Sequence, residues 1–547
     1  MSAPPPIRGT FRTDERARAA YAEAAGIYRI IPRAVCLPAD VTDLVALVRW
    51  AAAERMALVP RGAGSAMGGD NVGDGVVVDL TAMAGPAVTV AADARRARMR
   101  AGASLGELEA AAASRRLRLP PDPASGRWAT AGGAISTNAA GARSVRYGSV
   151  RPWVAAIEMV TAGGEVVRLR RAGPERAAGP PGRAGGTPGA PALPGVLRAI
   201  EAAAPLIGAR YPKVRKNAFG YALHEYLRTG DLLDLIVGAE GTLGIVTEVE
   251  WRLDPVPACR AGLRLLLDDY EVLPALAGSL LALEASAIEL LDRTFLDVVR
   301  RGGGELPLPD AEAVVLVELE SDDPERLRGA VEAAVRAARP VAFGVDATLS
   351  PAATEQLWRL RHAASPILAG LPPERRSLQV IEDGCVPVER LGQYVAAIRR
   401  AAEAQGIPVV LFGHAGDGNV HVNVLPDVTS AGWEVRVRSL FDEVSDAAIR
   451  LGGVPSGEHG AGRLRAPLLE RVYGPEIVAL FRKLKDAFDP PGILNPGVIL
   501  PSGQPPLWSL KVGAGAAQLP ADIARGLREI ERTGGYATSR LRLADRP

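Results

Sequence analysis

The chain reads as an α+β protein, on three observations. Near the N-terminus an amphipathic helical segment leads into a short apolar strand, a glycine-rich loop and a second buried strand. From about Pro255 the texture changes to long Leu/Ala/Arg helices alternating with apolar strands. Further on, Gly416-Asp417-Gly418-Asn419 is turn chemistry between two apolar runs, the pattern of a β-hairpin.

In chain order, residues 41–56 place Leu44, Val45, Val48 and Ala51 or Ala52 at helical spacing, with Asp40 or Thr42 able to cap the start. Residues 57–60 and 76–80 read as strands flanking the loop RGAGSAMGGDNVGDG. Within it, Arg61, Gly62, Ala63, Gly64 and Ser65 can present successive backbone N–H groups to a diphosphate. Alone such a loop is usually a tight turn. Two more glycine-rich stretches, residues 120–138 and 235–247, suggest a backbone-lined slot for one extended cofactor. Residues 171–195 are dense in proline and glycine and are expected to be a disordered surface insert. Helices are expected at 272–283, 324–338 and 391–404, and a strand at 314–318. The expected organisation is a first domain over 1–255, a second over 256–465, a helical return over 466–500 and a tail, 501–547, with no assignable role.

Composition limits the function classes. Lys+Arg 64 against Asp+Glu 62 leaves a net charge of +2, which predicts neither a nucleic-acid partner nor an acidic membrane. Cys36, Cys259 and Cys385 lie far apart, which excludes a disulfide framework and a self-contained iron–sulfur cluster. With no long uninterrupted apolar run, a soluble cytoplasmic protein is expected, at most peripheral at the inner membrane through a partner.

The chemistry concentrates in FGHAGDGNVHVN and GVPSGEHGAG. His421 and Asn423 share one strand face, and His414 can meet them from the opposing strand. A lone strand histidine is usually packed or solvated, but two converging imidazoles with Glu458 make a two-histidine, one-carboxylate set suited to zinc or manganese with an open position. His459 stands beside it as a proton acceptor. His224 and His362 are assigned to structure. Glu382 and Asp383, as adjacent strand residues facing opposite ways, are expected to be solvated or locally bonded rather than an acid–base pair.

The succession PRGAGS, PPDPASGRWATAGGAISTNAAGARSVRYG, VGAEGTLGIVTEV, GHAGDGNVHVN, SGEHGAGRLR and AFDPPGILNPG resembles the FAD-linked oxidase family of the vanillyl-alcohol-oxidase type, and within it the D-lactate, glycolate and D-2-hydroxyglutarate dehydrogenases, over roughly residues 30–500. The resemblance implies a two-subdomain FAD-binding domain with a cap of antiparallel sheet and helices. It implies that Arg61 to Ser65 wrap the FAD pyrophosphate and that Pro121, Asp122, Gly132, Gly133, Ser136, Thr137, Asn138, Gly141, Tyr147 and Gly148 follow the flavin and ribityl groups. Glu240, Gly244 and Ile245 would lie near the adenosine, and Asn495 near the isoalloxazine. The loop 61–69 holds neither His nor Cys, so FAD is expected to be noncovalent.

Similar enzymes use His414, His421 and Glu458 as metal ligands, Asn423 as a polar neighbour and His459 as the base. Arg361 matches the arginine that grips the substrate carboxylate, a task suited to a planar guanidinium, and Ser365 is a further substrate contact. The implied reaction is metal-assisted oxidation of a D-2-hydroxy acid to the 2-oxo acid, with hydride passing to flavin N5. Relatives specific for 2-hydroxyglutarate carry a lysine six residues ahead of a proline, and here that position is Ile381. A D-lactate- or glycolate-class substrate is therefore expected, unless Arg375 or Arg376 turns inward as a second anchor, with D-2-hydroxyglutarate as the alternative. The segment SLQVIEDGCVPVERLGQYV resembles members fused to an iron–sulfur domain, so a separate iron–sulfur subunit or other electron acceptor is expected. The family also contains non-redox alkylglycerone-phosphate synthases, but the retained histidine motifs favour a dehydrogenase.

Overall fold

The structure is a computed structural model and describes residues 4–171, 191–302 and 310–545. Asp40 accepts hydrogen bonds from the N–H groups of Thr42 and Asp43, which starts a helix over Val41–Glu54, and Arg55 ends it in a left-handed conformation. Its buried Leu44, Leu47, Val48 and Ala51 pack with Val76 and Val78. Those valines belong to a four-stranded sheet ordered Thr10–Arg12, Ala34–Leu37, Val76–Asp79, Leu58–Arg61, the last three parallel. The glycine-rich loop therefore leaves the C-terminal end of Leu58–Arg61, a parallel-sheet edge where ligands commonly bind.

A second sheet, antiparallel, runs Thr89–Ala91, Arg96–Arg100, Ile245–Arg252, Val154–Val160, Val166–Arg170. The short helix Ala131–Ser136, N-capped by Thr130, packs against its central strands. A third sheet has seven antiparallel strands in the order Gly344–Thr348, Cys259–Leu267, Ala313–Ser321, Ala287–Asp292, Val409–His414, Asn419–Val424, Gly384–Cys385. Ala313–Ser321 is buried along nearly its whole length because the helices Pro324–Ala338 and Arg293–Arg301 and the neighbouring strands leave neither face to water. Arg118 and Tyr147 of the N-terminal half both hold Glu320 of this strand, and Arg143 holds Glu318, so ion pairs fasten the two halves.

After the helix Pro475–Phe488 the chain returns to the first sheet. The Leu58 N–H donates to Ile493 O, and the Asn495 N–H donates to Leu58 O. The tail also has a place. Its helix Ala521–Thr533 packs on both Glu15–Ala20 and Ala364–Ala369, and so touches both halves. The expected insert falls largely on residues 172–190, which lie outside the described residues; its last positions begin the helix Leu193–Ala202. Among the described residues no helix is long and apolar enough to cross a membrane.

Candidate functional site

One cavity of about 560 Å3 runs from the glycine-rich loop to the histidine motifs. At the first end, Gly62 lies so close to Thr130 that a Cβ would meet its Oγ1 at 2.1 Å, and Gly64 has φ +80°, so neither position admits a side chain without displacing the loop. Arg61 is buried beneath the loop, where Nη2 donates to Glu23 O and Nη1 has no partner. Burial lowers its pKa, a cost that a diphosphate on the exposed backbone N–H groups would relieve. Loop and orphaned cation together fit the pyrophosphate of a dinucleotide.

Arg61 to Ser65, Gly132, Gly133, Ser136, Thr137, Gly244 and Ile245 all line this cavity, as do Arg361, Ser365, Asn423, His414, His421, Glu458 and His459. Other expected cofactor contacts support the wall instead of facing it. Asp122 is exposed and bonded to Arg143, and its carbonyl, with that of Pro121, crowds Gly141. Asn138 is buried behind the lining. The Tyr147 hydroxyl is committed to Glu320, and Gly148 caps the short helix Ser144–Tyr147 that carries it. Asn495 turns its amide to Asp70 O and Glu240 O at 2.7 and 2.9 Å, fastening two wall segments. Glu240 reaches the cavity, and its carboxylate accepts the N–H groups of Ala461 and Gly462, both at 2.8 Å, which holds the loop after His459.

At the other end the hairpin Val409–His414/Asn419–Val424 sets Phe412 opposite His421 and His414 opposite Asn419, so both imidazoles emerge on one face with ring centroids 5.1 Å apart. Glu289 lies directly across from His414 on the neighbouring strand. Its Oε1 is 2.6 Å from His414 Nδ1, while His421 Nδ1 is 2.8 Å from Glu382 O. These contacts engage both Nδ1 atoms and present both Nε2 atoms to the cavity, the arrangement found behind metal-binding histidines.

The Nε2 atoms of His414, His421 and His459 lie 3.4, 3.3 and 3.5 Å from Glu458 Oε1. Donors held at about 2.1 Å on a tetrahedral cation stand about 3.4 Å apart, so the spacings of His414 Nε2 and His421 Nε2 from Glu458 Oε1 suit a divalent ion, with His459 Nε2 beside them as the candidate base. Glu458 Oε2 is fixed by Lys216 Nζ at 2.8 Å. Burial disfavours the carboxylate charge, but Lys216 and then His414 hold Glu458 well below the usual carboxylate range. Asp383 also comes within 4.8 Å of the His421, Glu458 and His459 ligand atoms. Its oxygens are already taken by Ser456 Oγ, Asn419 Nδ2 and the backbone N–H groups of Glu458 and His459, which makes it the organiser of the motif.

Glu382 and Asp383 are thus buried, not solvated. They sit in a turn, with Asp383 N–H donating to Ile381 O, so strand alternation does not separate them. Both face His459 Nδ1, at 3.2 Å for Glu382 Oε2 and 3.9 Å for Asp383 Oδ2. Burial opposes charge on this ring, yet Asp383 and then Glu382 push its pKa up to about 10. His459 is the most accessible of the three imidazoles, with 24% of its side chain exposed. Arg361 is buried over the Phe412 ring and gives Nε to Glu289 Oε2 at 2.7 Å. His362 also lines the cavity, whereas His224 packs on Tyr211 away from it. Glu289 and Lys216 lie outside the sequence motifs, and Asp383, expected to be solvated or locally bonded, is locally bonded. The only signal was Glu289 itself, a carboxylate inside the apolar strand AIELLD.

Residues 32–170 match the family model described as an FAD binding domain, and residues 265–499 match FAD linked oxidases, C-terminal domain. The glycolate oxidase subunit GlcD of Bacillus subtilis (strain 168) is 30% identical over 481 residues, 87% of this chain and 90% of that protein. A D-lactate dehydrogenase of Archaeoglobus fulgidus is 30% identical over 483 residues, 86% of this chain and 93% of that one. A D-2-hydroxyglutarate dehydrogenase of Pseudomonas putida is 29% identical over 523 residues; that match takes in 90% of this chain, which spans about half, 50%, of the longer relative. Among solved structures, p-cresol methylhydroxylase shares the fold with a TM-score of 0.64 at 15% identity, covering 90% of this chain and 94% of that one.

Proposed function

Because the chain belongs to the FAD-linked oxidase family, alongside glycolate, D-lactate and D-2-hydroxyglutarate dehydrogenases, we propose that it oxidises a D-2-hydroxy acid to the 2-oxo acid at the histidine–glutamate centre. The observation that carries this reading is the convergence of three imidazole Nε2 atoms on Glu458 Oε1 in the same cavity as Arg361 and the glycine-rich loop. Noncovalently bound FAD would supply the two-electron acceptor, and a divalent cation, zinc or manganese by donor chemistry, would supply a Lewis acid for the substrate hydroxyl.

The chain's own groups do the rest. Arg361, oriented by Glu289, offers its remaining guanidinium N–H groups to the substrate carboxylate. Ser365 and Asn423 line the same wall. His459 takes the hydroxyl proton at Nε2, while Glu382 and Asp383 behind Nδ1 stabilise the imidazolium that forms. His414, His421 and Glu458 would hold the cation. Electrons then pass to a separate acceptor; an iron–sulfur subunit is the proposed partner, supported by the subunit name of the Bacillus relative and by three cysteines too dispersed to bind a cluster.

The test is anaerobic addition of D-lactate, glycolate and D-2-hydroxyglutarate to the yellow protein. Loss of flavin absorbance near roughly 450 nm with one acid supports the reading, and an unchanged spectrum with all of them contradicts it.

A further inference from the structure

The tail beyond residue 499 lies outside the matched family domains, yet it supplies part of the cavity wall. Arg528 Nη2 donates to Leu371 O at 2.8 Å, which docks the helix Ala521–Thr533 on the segment following Ser365. Three residues on, Glu531 receives Lys511 Nζ at 3.0 Å on Oε1 and Arg376 Nη2 on Oε2. The Lys511 side chain is fully buried, and that of Arg376 is 12% exposed. Arg376 lines the cavity, and among the described residues nothing engages its Nε or Nη1.

This matches the way Arg361 is held. Each guanidinium is fixed by a single carboxylate through one nitrogen, Arg361 by Glu289 and Arg376 by Glu531, with other donors left over. The two enter along the hairpin from different sides. Glu289 stands opposite His414, whereas Ser377, next to Arg376, bonds Asn423 at 2.9 Å, two residues beyond His421. At Glu531 two basic side chains, Lys511 and Arg376, face one carboxylate. Ile381, at the position where 2-hydroxyglutarate-specific relatives carry a lysine, is buried in the core.

We infer that the C-terminal segment completes the substrate site: Glu531 positions Arg376 as a second anion clamp, so that the preferred substrate is a 2-hydroxy acid bearing another anionic group besides its α-carboxylate. This rests on the 2-hydroxy-acid reading above and deepens it.

The experiment uses the FAD-loaded full chain. D-2-Hydroxyglutarate is compared with D-2-hydroxyvalerate, which has the same carbon chain ending in methyl, with a dye as acceptor. The parent should favour the dicarboxylate in kcat/KM, and Arg376→Gln should reduce that ratio about 10- to 100-fold, the worth of one charge-assisted contact. Glu531→Gln should reduce it less and chiefly through KM, as a positioning residue does, and Arg376→Lys should restore part of it. Glutarate, which cannot be oxidised, reads the clamp without turnover: its binding by calorimetry should weaken in Arg376→Gln by a similar factor.

A parent that oxidises both acids with a ratio untouched by Arg376→Gln overturns the clamp and leaves the proposed function standing. A parent that oxidises neither, yet loses glutarate affinity in Arg376→Gln, overturns the function and keeps an anion site. Neither turnover nor glutarate binding in the parent overturns both.

Discussion

Glu289 Oε1 lies 2.6 Å from His414 Nδ1, and the other oxygen of the same carboxylate binds Arg361 Nε at 2.7 Å. One buried acid therefore orients both the histidine proposed as a cation ligand and the arginine proposed for the substrate carboxylate. The Glu289→Gln variant should lose about 10- to 100-fold in metal affinity, the usual cost of removing the group behind a liganding histidine. Its KM for the hydroxy acid should rise as well. Metal titration and steady-state kinetics measure the two effects; a variant with normal KM and normal metal retention contradicts the shared role.

His459→Asn should slow flavin reduction by about 100-fold or more, the contribution of a positioned general base. FAD content should stay at parental levels, because the His459 imidazole is held by Glu382 and Asp383 and not by the Arg61–Ser65 backbone. Stopped-flow reduction at saturating substrate is the measurement. Unchanged rates would remove the base assignment.

Gly62→Ala should yield protein depleted of flavin. The new Cβ would stand 2.1 Å from Thr130 Oγ1, and Thr130 caps the helix behind the loop through its hydrogen bond to Gly133 N–H. Flavin-to-protein absorbance after gel filtration reads the outcome, and full flavin occupancy would show that the loop is not the pyrophosphate cradle.

Acid stability should depend on Glu320. Burial alone would raise its pKa, but Arg118 at 2.8 and 2.9 Å, with help from Arg143 and from Tyr147 at 2.7 Å, brings it down to about 2 from an ordinary value of 4.5. A folded-state pKa below the unfolded one stabilises the fold above the unfolded pKa, and that stabilisation is lost as pH falls from 4.5 toward about 2. The shift corresponds to about 3 kcal/mol. Glu320→Gln should be less stable near neutrality and should show a shallower loss between about pH 5 and pH 3. Urea midpoints across that range check it; a decline as steep as the parent's contradicts the assignment.

The legible parts of this protein were those written locally. The hairpin turn at 416–419 brings His414 and His421 together within eight residues, and FAD-type glycine loops carry their conformational demand in their own residues. Partners from distant strands were not legible. Glu289 meets His414 across a separation of 125 residues through the sheet order, and Lys216 meets Glu458 across 242 where two irregular segments pack together. Motif likeness also marked Tyr147, Asn138 and Asn495 as cofactor contacts without telling which side of a segment faces the cavity. Tyr147 proved to be a clamp between the two halves. The tail carried no motif, and its contacts with Arg376 and Ala25 depend on packing alone.

The most direct test is anaerobic flavin reduction by the preferred hydroxy acid before and after chelation, followed by stoichiometric zinc or manganese. Metal-free protein should keep its FAD yet stay yellow, because without a Lewis acid the substrate hydroxyl is not acidified and the carboxylates of Asp383 and Glu382 behind His459 favour its imidazolium, and metal should restore bleaching. Rapid bleaching of demonstrably metal-free protein would contradict the account.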